Sequence, residues 1–238
     1  MFDPKQLLDQ FLGGPGFQAG PDDRRDSGGL AGRVGDYARR NPMLTGVAAG
    51  GLAGLILGKG FGGDIVKYGG MAVLGGLAYK AYRDYQASQE GGSPAPAEGP
   101  YGAADFHPAP ADSPFAPANA PLRLAETLVV AMIAAAKADG HIDAEERGRI
   151  YQRLEEGGLQ PEEVAFLQHE LTEPVDLERI AAGAVNKEAA VEIYAASVMA
   201  IRKDTPQEQA YLDTLARRLA LEPGLVESIE KTVEAVSR

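Results

Sequence analysis

The 238-residue chain contains no cysteine, which excludes disulfides, thiolate zinc sites and a cysteine nucleophile, and fits a reducing cytoplasm. Positive charge is also scarce: 23 Lys and Arg stand against 34 Asp and Glu, a net charge of -11. A nucleic-acid surface must bring cations to phosphates, so nucleic acid is excluded as a partner. The three histidines, His107, His141 and His169, are too scattered for a two-histidine zinc spacing. No GxSxG, no Ser-His-Asp order and no catalytic carboxylate pair is present, and the chain reads as non-enzymatic. Long apolar runs are rare as well, the one clear case being "GVAAGGLAGLILGKGFGG" over 46–63.

That run is not a phosphate loop. Gly58-Lys59 is followed by Gly60 instead of Ser or Thr, and an Ala/Leu/Gly run precedes it instead of a β-branched strand. Gly46, Gly50, Gly54 and Gly58 recur at every fourth position, which on a helix draws one stripe of small residues, as in membrane helix pairs. In water each interior glycine costs on the order of 1 kcal/mol relative to alanine, whereas lipid removes the option of a solvated backbone. The uncharged segment 43–58 would rise about 24 Å as a helix, short of the roughly 30 Å of hydrocarbon. A second apolar segment, "YGGMAVLGGLAY" over 68–79, predicts a helical hairpin in which Gly50 and Gly54 meet Gly70 and Gly75.

Charge divides the chain. Residues 28–89 hold seven basic and three acidic side chains, whereas residues 122–238 hold 13 basic and 22 acidic ones. Arg33, Arg39 and Arg40 precede the hairpin and Lys80 and Arg83 follow it, which predicts membrane lipid as a partner and both termini on the cytoplasmic side. The alternative is a soluble glycine-rich helical pair that packs on the acidic domain or assembles homo-oligomers.

The organisation expected around the hairpin, assigned to 33–86, is as follows. Residues 1–12 form a short amphipathic helix with Asp3 as N-cap and Pro4 at its first position, and 13–32 are flexible. Residues 87–121, dense in proline and alanine, form a disordered spacer containing Phe106 and Phe115. Residues 122–238 carry helical periodicity and no convincing strand, giving an all-α class and a compact bundle of about seven helices.

Two junctions in the bundle are alike. Thr205-Pro206-Gln207-Glu208 and Asp143-Ala144-Glu145-Glu146 both read as helix starts with a capping box. Between them Asp139, Asp143, Glu146, Asp204 and Glu208 offer five carboxylates of the kind that hold a divalent cation, although the spacing is not that of an EF-hand and capping explains most of them.

The runs "AKADGHID" and "DTPQEQAYLD", in this order behind a glycine-rich pair and a Pro/Ala linker, resemble the YebE-like inner-membrane proteins of proteobacteria, a domain of unknown function. The carboxyl-terminal domain of that family is similar to the TerB-like, tellurite-resistance type of helical fold. The resemblance implies a bacterial inner-membrane location and a cation-binding acidic surface at Asp139, Asp143, Glu146, Asp204 and Glu208. Anchor, spacer and acidic bundle together predict a non-catalytic, membrane-tethered interaction or stress-response protein whose bundle docks a cytoplasmic protein partner or senses a divalent cation, with a soluble homo-oligomeric scaffold and a metal-dependent enzyme as alternatives. Arg202 departs from the family pattern, which has an acid there, and would repel a cation or pair with the acids.

Overall fold

A computed structural model describes residues 3–11, 69–89, 106–121, 123–138, 159–201, 203 and 205–236. Its described helices are α1 (Pro4–Phe11), α2 (Gly70–Gln89), α3 (Leu124–Ala136), α4 (Pro161–Thr172), α5 (Leu177–Ala182), α6 (Lys187–Ala200), α7 (Pro206–Arg218) and α8 (Pro223–Val236). No strand occurs among the described residues, so the all-α class holds.

Two helices make the centre. In α6 every residue from Ala189 to Ala200 is buried, and in α3 most are, so neither has a solvent face. A helix that is apolar all round must be surrounded. Here α3 and α6 pack along each other, with α2 and α8 against α6, α7 across both, and α4 and α5 against α3. Buried leucines and isoleucines from α2, α3, α6, α7 and α8 join one continuous core.

Capping fixes where these helices begin. Asp3 Oδ1 accepts from the Lys5 N–H at 3.0 Å. Asp176 Oδ1 accepts from the Arg179 N–H at 3.0 Å and Asn186 Oδ1 from the Ala189 N–H at 2.8 Å, satisfying amides that the first turn leaves free. At α7 the reciprocal box predicted from sequence is present: the Glu208 N–H donates to Thr205 Oγ1 at 3.2 Å, and the Thr205 N–H donates to Glu208 Oε2 at 3.1 Å.

The amino-terminal half differs from expectation in two ways. Residues 70–79 of the second hairpin arm are part of α2, and Met71, Val73, Leu74 and Leu77 are buried in the same core as α6 and α8. Its apolar face is turned to protein because α6 and α8 offer complementary apolar surface. The spacer expected over 87–121 is also not extended throughout: α2 continues to Gln89, and 111–120 form successive turns, with Phe106 and Phe115 each 3% exposed. Proline density hid two aromatic anchors whose burial offsets the ordering of the segment. Residues 43–58, the first arm, lie outside the described residues.

α1 belongs to this body too. Leu7 and Leu8 are fully buried, and the helix packs on α2 and α3. Elements on both sides of the glycine-rich run are therefore joined in one core.

Candidate functional site

Of the five proposed cation ligands, Asp139, Asp143, Glu146 and Asp204 lie outside the described residues, as does Arg202. Glu208 is buried, and its carboxylate accepts the Thr205 N–H, so at least part of its acceptor capacity serves the helix start. Among the described residues no group of three or more His, Asp or Glu side chains is placed to hold a metal.

Of the proposed packing glycines, Gly46, Gly50, Gly54 and Gly58 are outside the described residues, while Gly70 opens α2. Gly75 does serve close approach, but its neighbour is the 106–121 segment. A Cβ built there would lie 2.1 Å from the Phe115 carbonyl oxygen. At Gly76 the same atom would lie 2.7 Å from Phe106 Cζ and 2.9 Å from the His107 oxygen. The two glycines form a notch that admits backbone and ring. Tyr79 and Tyr82 flank Phe115 with ring centroids 6.0 and 5.7 Å away. The segment is pre-shaped by its own bonds: Asn119 Nδ2 donates to the Ala111 and Ser113 oxygens, both at 2.9 Å.

A polar joint fastens the other end of α2. Lys187 Nζ donates to Glu222 Oε1 at 2.9 Å and stands 5.8 and 6.0 Å from the Tyr82 and Tyr85 ring centres. Its hydrogen bond to Glu222 holds the ammonium above its ordinary range, and the same bond holds Glu222 below the ordinary carboxylate range. Ser228 Oγ donates to the Ala81 oxygen at 2.8 Å.

On the opposite side, a shallow groove between α3 and α5 is lined by Val130, Ile133, Lys137, Glu170, Val175 and Arg179. Its charges are paired within the fold. Arg179 makes a two-pronged contact with Glu170 at 3.0 and 2.7 Å, and Lys137 Nζ donates to the Glu170 and Glu173 carbonyls that close α4. Burial draws Lys137 below its ordinary value, against the pull of Glu170 and Glu173. Val175 and Val185, at the two ends of α5, are the exposed large hydrophobics among the described residues.

Glu192 is the residue that sequence reasoning passed over. It sits in the middle of α6, 1% exposed, and its Oε2 has no hydrogen-bond partner. Burial pushes its carboxyl up to about 8, and the charge of Glu188 one turn earlier adds to the rise. The available signal was one acid set in "AAVEIYAASVMA", a run that is apolar on every face of a helix.

No solved structure matches the chain. It is similar to an uncharacterized protein in the ampR 5' region of Yersinia enterocolitica, with 32% identity over 108 residues that cover 45% of this chain and 78% of that protein. A family model described as a protein of unknown function, DUF533, matches residues 42–233, a stretch that takes in both the glycine-rich run and the helical bundle. The chain therefore belongs to the DUF533 family of proteins of unknown function.

Proposed function

We propose that the protein is a non-catalytic docking module held against the bacterial inner membrane by residues 43–58, which enter the lipid from one face without crossing it. The observation that carries this reading is the packing of α1 and α2, the elements on either side of that run, in one body. A single crossing would separate them. A crossing with a return would have to use residues 12–42, which carry nine charged side chains, or residues 59–69, which rise only about 17 Å as a helix against roughly 30 Å of hydrocarbon. The latter also carry Lys59, Asp64 and Lys67. Entry from one side keeps α1, the bundle and the flanking arginines on the cytoplasmic face, in keeping with the positive-inside tendency. The resemblance to YebE-like inner-membrane proteins supports the same location.

This arrangement also sets reach. The 59–69 stretch joins the apolar run to α2 and extends at most about 38 Å, so the acidic bundle would stay close to the bilayer. Its excess of acids over bases suits a basic protein partner, concentrated by confinement near one surface. A divalent cation at Asp139, Asp143, Glu146, Asp204 and Glu208 remains a subsidiary part of the proposal, with Arg202 opposing it.

A second reading is favoured by the burial of α2. With that arm packed in protein, the stripe Gly46, Gly50, Gly54, Gly58 would serve a soluble homo-oligomer. Membrane partitioning of the full chain beside a variant lacking 43–58, with and without detergent, decides between them. Detergent-releasable pelleting of the full chain alone supports the membrane reading. Two soluble chains, of which only the full one self-associates, overturn it in favour of the oligomer.

A further inference from the structure

We propose that Glu192 is a proton-binding site: helices α2, α3, α7 and α8 close on α6 over its uncharged carboxylic acid, and loss of that proton loosens α6 from them. The argument begins from placement. The side chain is 1% exposed on a helix with no solvent face, and one carboxyl oxygen has no donor. An ionised carboxylate left in such surroundings without donors is penalised far more than a neutral acid, so the closed body favours the protonated form.

No charge from the surrounding helices relieves this. On α2 Lys80 is taken by Asp84 and Arg83 lies over the Tyr79 ring, on α8 Lys231 pairs with Glu227, and Glu126 of α3 acts on Arg179. Glu208 of α7 caps its own helix. On α8, Glu230 accepts from Tyr194 at 2.8 Å and pairs with Lys203 at 2.6 Å. The charged group that does act on Glu192 is Glu188, which disfavours ionisation further.

The direction of the pH response follows. The closed body holds the proton up to about 8, whereas a solvated carboxyl gives it up near 4.5. Between those values the closed form binds one proton more than the open form, so the open population rises about tenfold per pH unit and levels off above the interval. Paired acids such as Glu222, held below their ordinary range by Lys187, act in the opposite sense at low pH. This proposal does not depend on membrane association.

The test is hydrogen exchange of the α6 amides in the full chain from pH 6 to pH 9, corrected for intrinsic exchange, in the native protein, Glu192→Gln and Glu188→Gln. In the native protein opening should increase about tenfold per unit up to about pH 8. Glu192→Gln, matched in shape and unable to ionise, should be flat over that range. Glu188→Gln should level off at lower pH, because one cause of the raised value is gone. A native profile without pH dependence, or a Glu192→Gln profile with the native slope, overturns the proposal. Should Glu192→Gln fail to fold, an unshifted Glu188→Gln profile overturns it independently.

Discussion

Helices α2 and α6 are both rich in small and apolar residues, yet they are used in opposite ways. In α2 the small residues are gaps. Gly75 and Gly76 weaken the helix by roughly 1 kcal/mol each relative to alanine, and the gap is filled from outside by Phe106 and Phe115. In α6 the alanines let neighbouring helices close in on every side, so that even a carboxyl is enclosed. Glycine in the first helix marks where the turn-rich 106–121 segment docks, and alanine in the second marks the centre of the bundle. Composition alone does not separate the two cases.

Four substitutions would break or sharpen this contrast, taken from the largest expected effect downward. Leu74→Ala in α2 should destabilise the protein by about 3 kcal/mol in urea unfolding, as expected for a fully buried leucine. A loss below about 1 kcal/mol would mean that α2 is not part of the core and that its likeness to α6 ends at composition. Gly75→Ala should cost about 2 kcal/mol, because the atom it meets is the Phe115 backbone, which cannot rotate away. Tyrosine fluorescence should change with it, reporting Tyr79 and Tyr82 as the 106–121 segment shifts.

On the α6 side, Tyr211→Phe removes a hydroxyl that donates to the Ala131 oxygen at 3.2 Å inside the core and should cost about 1 kcal/mol. The smallest effect lies outside both helices. Ala220 ends α7 with φ of 51°, while the Leu221 N–H bonds back to the Ala216 oxygen at 3.1 Å. Ala220→Gly should therefore stabilise by about 0.5–1 kcal/mol, seen as a small rise in Tm with an unchanged pH profile.

What could be read from the sequence follows the same division. Helix starts were legible, since Thr205-Pro206-Gln207-Glu208 and Asp3-Pro4 carry local signals that tertiary packing did not override. The all-α class was legible from periodicity. The role of 68–79 was not, because an apolar glycine-rich stretch gives the same pattern whether its partner is lipid, a second arm or α6 and α8. Phe106 and Phe115 were masked by the surrounding prolines, whose composition argues for an extended spacer whenever anchors are not weighed individually. Glu192 escaped because one acid within the apolar 189–200 stretch of a helix reads as solvent-facing until the helices around it are known.

The central claim, that the elements flanking the glycine-rich run belong to one body on one side of the membrane, is tested most directly by sidedness labelling. A chain without cysteine allows single exposed probes, Lys5→Cys on α1 and Ser88→Cys on α2, treated with a membrane-impermeant maleimide in right-side-out and inverted inner-membrane vesicles. Both positions should label in inverted vesicles and neither in right-side-out ones. Labelling of the two positions from opposite sides would mean that residues 43–58 cross the bilayer and that α1 and α2 do not share a core.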